Sequence, residues 1–313
     1  MSTVFVIDGG AGRVITAIPA LLKFYKNNPE NDFRVCIYGW DNLFWGIPEL
    51  QDRTFNIDNK GIFDNIFMKA TKVVSPEPYR LPGYYKQEKS LSEAFDAIIN
   101  ETDDHSDLPN ITMPLNKAEE INATAAIGEI LKDETRRNKP NVIIQPWGST
   151  ARKAGTYVID DSSRSLEPWS YIKLVKTLSE KYNLFYFGTK ETSMEEDEYT
   201  LKFEGDLRFW SALIASSDYF LGVDSVGQHM AKAHNIPGTV ILGSTFAKNI
   251  SYPEYFNIIE KPGVKKYSPL RINGIDSHLA DRLNDTRMNF TDEELDKLIT
   301  SIDKDIQKKI KKD

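Results

Sequence analysis

The chain has 313 residues, 40% of them hydrophobic, which is enough for two domains of ordinary size with real cores. Its 46 acidic and 39 basic side chains give a formal net charge of -7, which argues against a broad basic face for nucleic acid while leaving room for a local groove. The single cysteine, Cys36, excludes an internal disulfide and a thiolate metal site and suits a reducing cytoplasm, and no apolar run approaches the length that spans a bilayer.

The opening MSTVFVIDGG reads as a buried strand over Val4 to Ile7 and not as a signal peptide. A glycine-rich turn, Asp8 to Arg13 (DGGAGR), follows it, then a helix from about Thr16 to Tyr25 and a strand from Val35 to Tyr38, the start of a βαβ unit. Glycines there let the backbone bend tightly and approach a ligand, although the turn is neither a Walker A loop nor a full G-x-G-x-x-G. Asp8 heads this turn and Asp41 follows the second strand in YGWDN; both are candidate proton acceptors, and Asp8 serves equally well as a turn-forming residue. Ile62 to Phe67 and Val73 to Val74 are weaker strand candidates. Ser75 to Asn116, rich in Pro, Tyr and acidic residues, supports no assignment.

A charged stretch, Lys132 to Lys139 (KDETRRNK), lies between a helical pattern ending at Ile130 and Leu131 and an apolar strand beginning at Val142. It predicts a division into domains 1–135 and 136–290, with 291–313 as a basic terminal helix. Beyond it the alternation is regular: strand Val142 to Gln145, helix Trp169 to Lys181, strand Leu184 to Phe187, helix Leu207 to Ala215, strand Tyr219 to Val223, helix Gln228 to Ala233, strand Thr239 to Leu242. Such alternation implies a parallel sheet covered by helices on both faces. The last helix, Asp292 to Lys311, opens with Thr291 and Glu294 in capping-box spacing and is apolar at Leu295, Leu298, Ile299, Ile302 and Ile306.

The chemistry concentrates where strands hand over to helices, at the carboxyl edge of such a sheet. In LGVDSVGQHMAKAHN, Asp224, Ser225, Val226 and Gly227 form the turn, and the helix carrying His229 offers free N–H groups and a dipole that favour an anion. In QPWGSTA, Gly148, Ser149 and Thr150 follow another strand and can hold phosphate oxygens, with Arg152, Lys153 and Arg164 nearby in sequence. Gly188 to Glu191 follows a third strand. His229 alone would be read as a packed core residue; Trp147 is a core aromatic or a stacking platform, and Trp169, at a helix start with apolar periodicity behind it, reads rather as core. Metal ligands are not expected: Asp303 and Asp305, the one D-x-D, read as a solvated face of the last helix, and the four histidines have no ligand spacing.

Asp224, Ser225, Gly227, His229, Met230, Ala231 and Ala233, followed by a strand ending at Gly243 with Ser244 and Thr245, resemble the second-domain signature of heptosyltransferase-like glycosyltransferases, with Val226 where that family usually has glycine. Gly12, Pro19, Ala20 and Leu21 are similar to its first-domain motif, and Pro146, Gly148, Ser149 and Trp169 to its phosphate loop and following helix start, with Arg164 standing for the basic residue. The resemblance implies a GT-B fold, two Rossmann-like doubly wound domains facing across a cleft with a C-terminal helix crossing back. It also implies a metal-independent inverting transfer from a nucleotide sugar, without a cofactor, the second domain binding the donor and the first the acceptor. Gly188 falls where the family places nucleotide-recognising residues. Arg13 occupies the place of an aspartate proposed as general base, and arginine cannot take a proton at neutral pH. Asp8, and after it Asp41, is therefore the expected base.

The expected acceptor is a glycan such as a lipopolysaccharide core, reached by a cytoplasmic enzyme whose Lys-rich tail, Lys304 to Lys312, makes peripheral contact with anionic lipid at the inner membrane. The alternatives are a hydroxymethylated base in DNA, with Arg13 and the tail touching phosphates, a non-catalytic nucleotide-sugar-binding module, and an epimerase of the same architecture. No stable protein partner is inferred.

Overall fold

The computed structural model describes residues 2–160, 164–266, 270–272, 275–277 and 288–310. The chain forms two compact units, Met1–Asn116 with Pro269–Ser277, and Lys117–Ser268 with His278–Asp313.

In the first unit β1 (Thr3–Ile7) leads into α1 (Ala11–Asn27) and β2 (Arg34–Ile37), followed by β3 (Thr54–Asn56), the short helix α2 (Ile62–Asn65) and β4 (Lys72–Val74). Two further helices, α3 (Pro82–Tyr85) and α4 (Leu91–Ile99), lie in the stretch that sequence left unassigned. The four strands are parallel in the order β3-β2-β1-β4. Because β2 and β4 lie on opposite sides of β1, the order reverses between β1 and β4, and a crevice opens outside their carboxyl ends.

The helix α1 starts at Ala11, earlier than its apolar pattern suggests, with Gly10 at the cap. It is buried on most of its surface and packs against α4. The segment Ile62 to Phe67 is not a strand: Gly61 sits at φ +83° and turns the chain into α2, whose Ile62, with Ile66, packs on Val4 and Cys36. Burial pushes the Cys36 thiol up to about 11, so it is a small core hydrophobe. Around Asp96, which is fully buried, a charged network ties α4 to α1 and to the loop after α4: Lys23 Nζ lies 3.1 Å from its Oδ2 and His105 Nδ1 2.6 Å from the same atom.

The second unit begins with α5 (Lys117–Ile130), then β5 (Asn141–Gln145), a hairpin of β6 (Arg152–Ala154) and β7 (Tyr157–Ile159), α6 (Pro168–Ser179), β8 (Asn183–Tyr186), β9 (Leu201–Lys202) and α7 (Leu207–Ala215). It continues with β10 (Tyr219–Val223), α8 (Val226–Ala233), β11 (Gly238–Leu242), α9 (Ala247–Ile250) and β12 (Asn257–Glu260). The remaining elements are a hairpin, β13 (Leu270–Ile272) and β14 (Ile275–Ser277), grouped with the first unit, and α10 (Asp292–Ile310). Six parallel strands run in the order β12-β11-β10-β5-β8-β9, a doubly wound sheet whose order reverses between β5 and β10. Continuous burial of β5, β8, β10 and β11 explains why these strands read as unbroken apolar runs.

Sequence places the division after residue 135, whereas the chain divides at Asn116 and Lys117. The physical reason is α5: it packs on α7, and Arg208, almost fully buried, donates from Nε and Nη2 to Glu119 at 2.8 and 2.6 Å. The last helix also differs from expectation. Rather than leaving for the first unit, α10 buries Leu295, Leu298, Ile299, Ile302 and Ile306 in the second core. Asp303 and Asp305 are not a solvated face. Asp303 accepts from Lys181 at 2.7 Å and Tyr182 at 2.6 Å, and Asp305 accepts from the Tyr219 hydroxyl at 2.6 Å, pinning α10 to the sheet. Among the described residues no helix is long and apolar enough to cross a membrane.

Candidate functional site

The second unit gathers its chemistry at the reversal between β5 and β10. Gly222 pairs with Gln145, so the turn after β10, Asp224 to Gly227, and the loop after β5, Pro146 to Ala151, leave neighbouring strand ends. Gln145 joins them directly: its side-chain Oε1 accepts from the Gly227 backbone N–H at 2.8 Å. A Cβ on Gly227 would stand 2.5 Å from that oxygen and 2.7 Å from the Phe220 ring, so only glycine fits. Val226, where the resembling family has glycine, is the first residue of α8 with no positive φ, and a side chain is accommodated there. Ser225 is the N-cap, but its hydroxyl makes no capping bond. At this helix start it is Gln145, not Ser225, that takes the Gly227 N–H.

The loop after β5 is held from within. The buried Gly148 N–H donates to Ser165 Oγ at 2.7 Å, Ser165 donates in turn to Asp160, and Thr150 Oγ1 donates to the other Asp160 oxygen at 2.7 Å. The Gly148 N–H and the Thr150 hydroxyl, expected to hold phosphate, are therefore engaged in shaping the loop; Ser149 is exposed at its tip. Arg164 packs over this loop, its Nε and Nη2 each 3.7 Å from where a Gly148 Cβ would be. Arg152 lies exposed at the start of the hairpin, and Lys153 pairs with Glu195 at 2.8 Å. Gly188 follows β8, the strand on the other side of β5, so three loops leave adjacent strand ends in the order β10-β5-β8.

His229 closes the first turn of α8, only 6% exposed, with Nδ1 2.8 Å from the Tyr252 hydroxyl. Burial lowers its pKa to about 4, so the ring is neutral at pH 7. It offers hydrogen bonds and no charge, which leaves positive charge to Arg164 and Arg152. Trp147 is a core aromatic against Tyr171, whereas Trp169, read as core, is 38% exposed at the start of α6.

In the first unit Asp8 and Arg13 come together at the crevice between β1 and β4. Arg13 is buried at 5% exposure; its Nη2 lies 3.1 Å from Asp8 Oδ1 and 2.9 Å from the Pro76 carbonyl oxygen, and its Nη1 3.3 Å from Glu77 Oε1. Its guanidinium also stacks over Tyr79 and Phe95. So occupied, Arg13 cannot make the DNA phosphate contacts considered from sequence. Asp41 is half-buried one strand further on and accepts from Asn56 Nδ2 at 3.2 Å, which commits it to the loop after β2.

Sequence reasoning missed Gln145, Asp160, Ser165, Glu77 and Tyr252. Gln145 had a signal, as the polar last residue of an apolar strand. The others act through tertiary contacts and had none. Among the described residues no cluster of three His, Cys, Asp or Glu side chains could hold a metal ion.

No family model and no curated protein matches the chain by sequence. By structure it is similar to a family 9 glycosyl transferase from Veillonella parvula, with TM-score 0.65 and 9% identity over 97% of this chain and 96% of that one. It is similar too to the iron-containing dodecameric glycosyltransferase TibC of enterotoxigenic E. coli, with TM-score 0.63 and 12% identity over 100% of this chain and 80% of that one. The chain has the fold of these glycosyltransferases. E. coli ADP-heptose LPS heptosyltransferase II shares it at TM-score 0.53 and 13% identity, over 96% of this chain and 99% of that one. The doubly wound α/β fold implied by the sequence resemblance is therefore observed in the two units, at identities where the order of strands and the placing of the loops carry the likeness.

Proposed function

We propose that the chain is a glycosyltransferase that moves a sugar from a nucleotide-sugar donor to a hydroxyl acceptor, inverting and metal-independent, with the second unit binding donor and the first acceptor. One observation carries this reading: the two motifs singled out in sequence, QPWGST and DSVGQH, meet at the reversal of a doubly wound sheet, joined by Gln145 and Gly227. There the start of α8 and the guanidinium of Arg164 suit a diphosphate. In this reading Arg164 and Arg152 neutralise the departing diphosphate, Asp224, Ser225 and the neutral His229 add hydrogen bonds, and Asp8 takes the proton of the acceptor hydroxyl.

A TibC structure is described in complex with ADP-D-beta-D-heptose, which makes ADP-sugars the first donors to screen. A glycan acceptor is favoured over DNA because Arg13, at the crevice of the first unit, is buried and committed, while the Asp8 carboxylate beside it is 44% exposed. Peripheral contact with an inner-membrane surface from the cytoplasm would use the lysines of α10, of which Lys304 and Lys308 are exposed.

The test is a thermal-shift screen of ADP-, UDP- and GDP-sugars followed by transfer assays with lipopolysaccharide core or hydroxymethylcytosine DNA. A donor at a hundred times its Kd stabilises the fold by about 2.7 kcal/mol. Transfer to glycan that persists in chelator is expected. Tight donor binding without turnover would instead favour a binding module, product formed without acceptor would favour an epimerase, and no shift with any donor would overturn the proposal.

A further inference from the structure

At the crevice between β1 and β4 two carboxylates share the guanidinium of Arg13. Glu77, after β4, is 14% exposed and Asp8, after β1, is 44% exposed, with the 4% exposed Arg13 side chain between them. A simple staple between α1 and the segment after β4 would need only Arg13, Glu77 and the Pro76 carbonyl. Asp8 is the more exposed of the two carboxylates.

Its position is nevertheless fixed. Gly9, next in the chain, has φ +94°, and a Cβ there would lie 3.1 Å from Arg13 Cδ, so the backbone carrying Asp8 is folded down onto the arginine stem. Tyr79 and Phe95 hold the guanidinium 5.0 and 5.7 Å from their ring centroids. The guanidinium serves Asp8 as a rigid counter-charge, not as a ligand grip.

We propose that Arg13 and Glu77 are a positioning pair that keeps Asp8 ionised and fixed at the crevice as the base of the transfer. This rests on the glycosyltransferase reading. In the step itself the acceptor oxygen bonds to the anomeric carbon, its proton passes to an Asp8 carboxylate oxygen, and the bond from that carbon to the diphosphate breaks, its electron pair leaving with the nucleoside diphosphate. Arg13 favours the ionised form of Asp8 and Glu77 opposes it by sharing the guanidinium and adding like charge. The two residues therefore act on Asp8 with opposite sign.

The test has two arms. In the first, carbon NMR of aspartate-labelled protein follows the Asp8 carboxyl, assigned by its loss in Asp8→Asn, through an acid titration of wild type, Arg13→Met and Glu77→Gln. The Asp8 midpoint is expected to rise by about one unit or more in Arg13→Met and to fall in Glu77→Gln. Shifts of the same sign, or none, would overturn the clamp, and Glu77→Gln, nearly isosteric, decides the matter if Arg13→Met does not fold. In the second arm, transfer by Asp8→Asn is expected to fall by about a hundredfold or more, and the acid limb of kcat is expected to move with the NMR midpoints. Asp8→Asn with full turnover would overturn the base assignment. Opposite NMR shifts in a wild type that transfers nothing from any donor would overturn the glycosyltransferase reading and leave the clamp standing.

Discussion

Acidification from pH 7.5 to 5.0 tests the placing of two histidines in the second unit, His229 buried and His234 half-buried. His229, against Tyr252, and His234, 2.7 Å from Ser211 Oγ by its Nε2, both have pKa values lowered by burial to about 4, with the charge of Arg208 adding to the effect on His234. An unfolded histidine titrates near 6.5, so below that pH the unfolded chain takes up protons that the folded chain refuses. The stability these rings contribute is complete above about pH 6.5, falls as pH drops, and is gone below about 4. At pH 5.0 each ring costs about 2 kcal/mol relative to neutral pH, and the pair about 4 kcal/mol. Urea denaturation followed by circular dichroism at the two pH values, on wild type and on His229→Gln/His234→Gln, isolates this term, since every other group titrates alike in both proteins. Wild type is expected to lose about 4 kcal/mol more than the double variant. Equal losses would mean that these rings protonate freely in the folded state, and the burial of His229 would be refuted.

Removing the cation from the charged network of the first unit leaves Asp96 buried with less compensation: Lys23→Met is expected to cost about 3–5 kcal/mol in urea denaturation, and a cost below 1 would contradict the network. Gly227→Ala drives a Cβ against Gln145 and Phe220 and is expected to cost about 1–3 kcal/mol, whereas Gly128→Ala, with nothing within 4 Å in α5, should be neutral or stabilising by up to about 1 kcal/mol. Equal effects of the two on the melting temperature would refute the steric account. Arg208→Ala should release α5 from α7, seen as faster hydrogen exchange throughout residues 117–130, and unchanged protection there would return that helix to the first unit.

The parts of the fold that were legible owe this to burial. Strands such as Val142 to Gln145 and Tyr219 to Val223 are covered on both faces and show it as apolar runs, and the carboxyl-edge rule then locates the site without coordinates. Ile62 to Phe67 misled because a short apolar run does not distinguish strand from helix, and Gly61 at positive φ settles it locally. The stretch 75–116 was opaque because its elements are short and held by distant partners, Asp96 by Lys23 and Glu77 by Arg13. At the site, sequence found the glycines and basic residues but misjudged their use. The need for Gly227 comes from Gln145, some eighty positions away, and Thr150 spends its hydroxyl on Asp160.

The central claim is that the loops after β5 and β10 hold the diphosphate of a nucleotide sugar. Hydrogen exchange measured with and without saturating ADP, UDP and GDP tests it most directly. The account predicts that the nucleotide that binds slows exchange at residues 148–151 and 225–230, with little change elsewhere in the six-stranded sheet. A nucleotide that binds while leaving both loops unprotected, or the failure of all three to slow exchange anywhere, would contradict it.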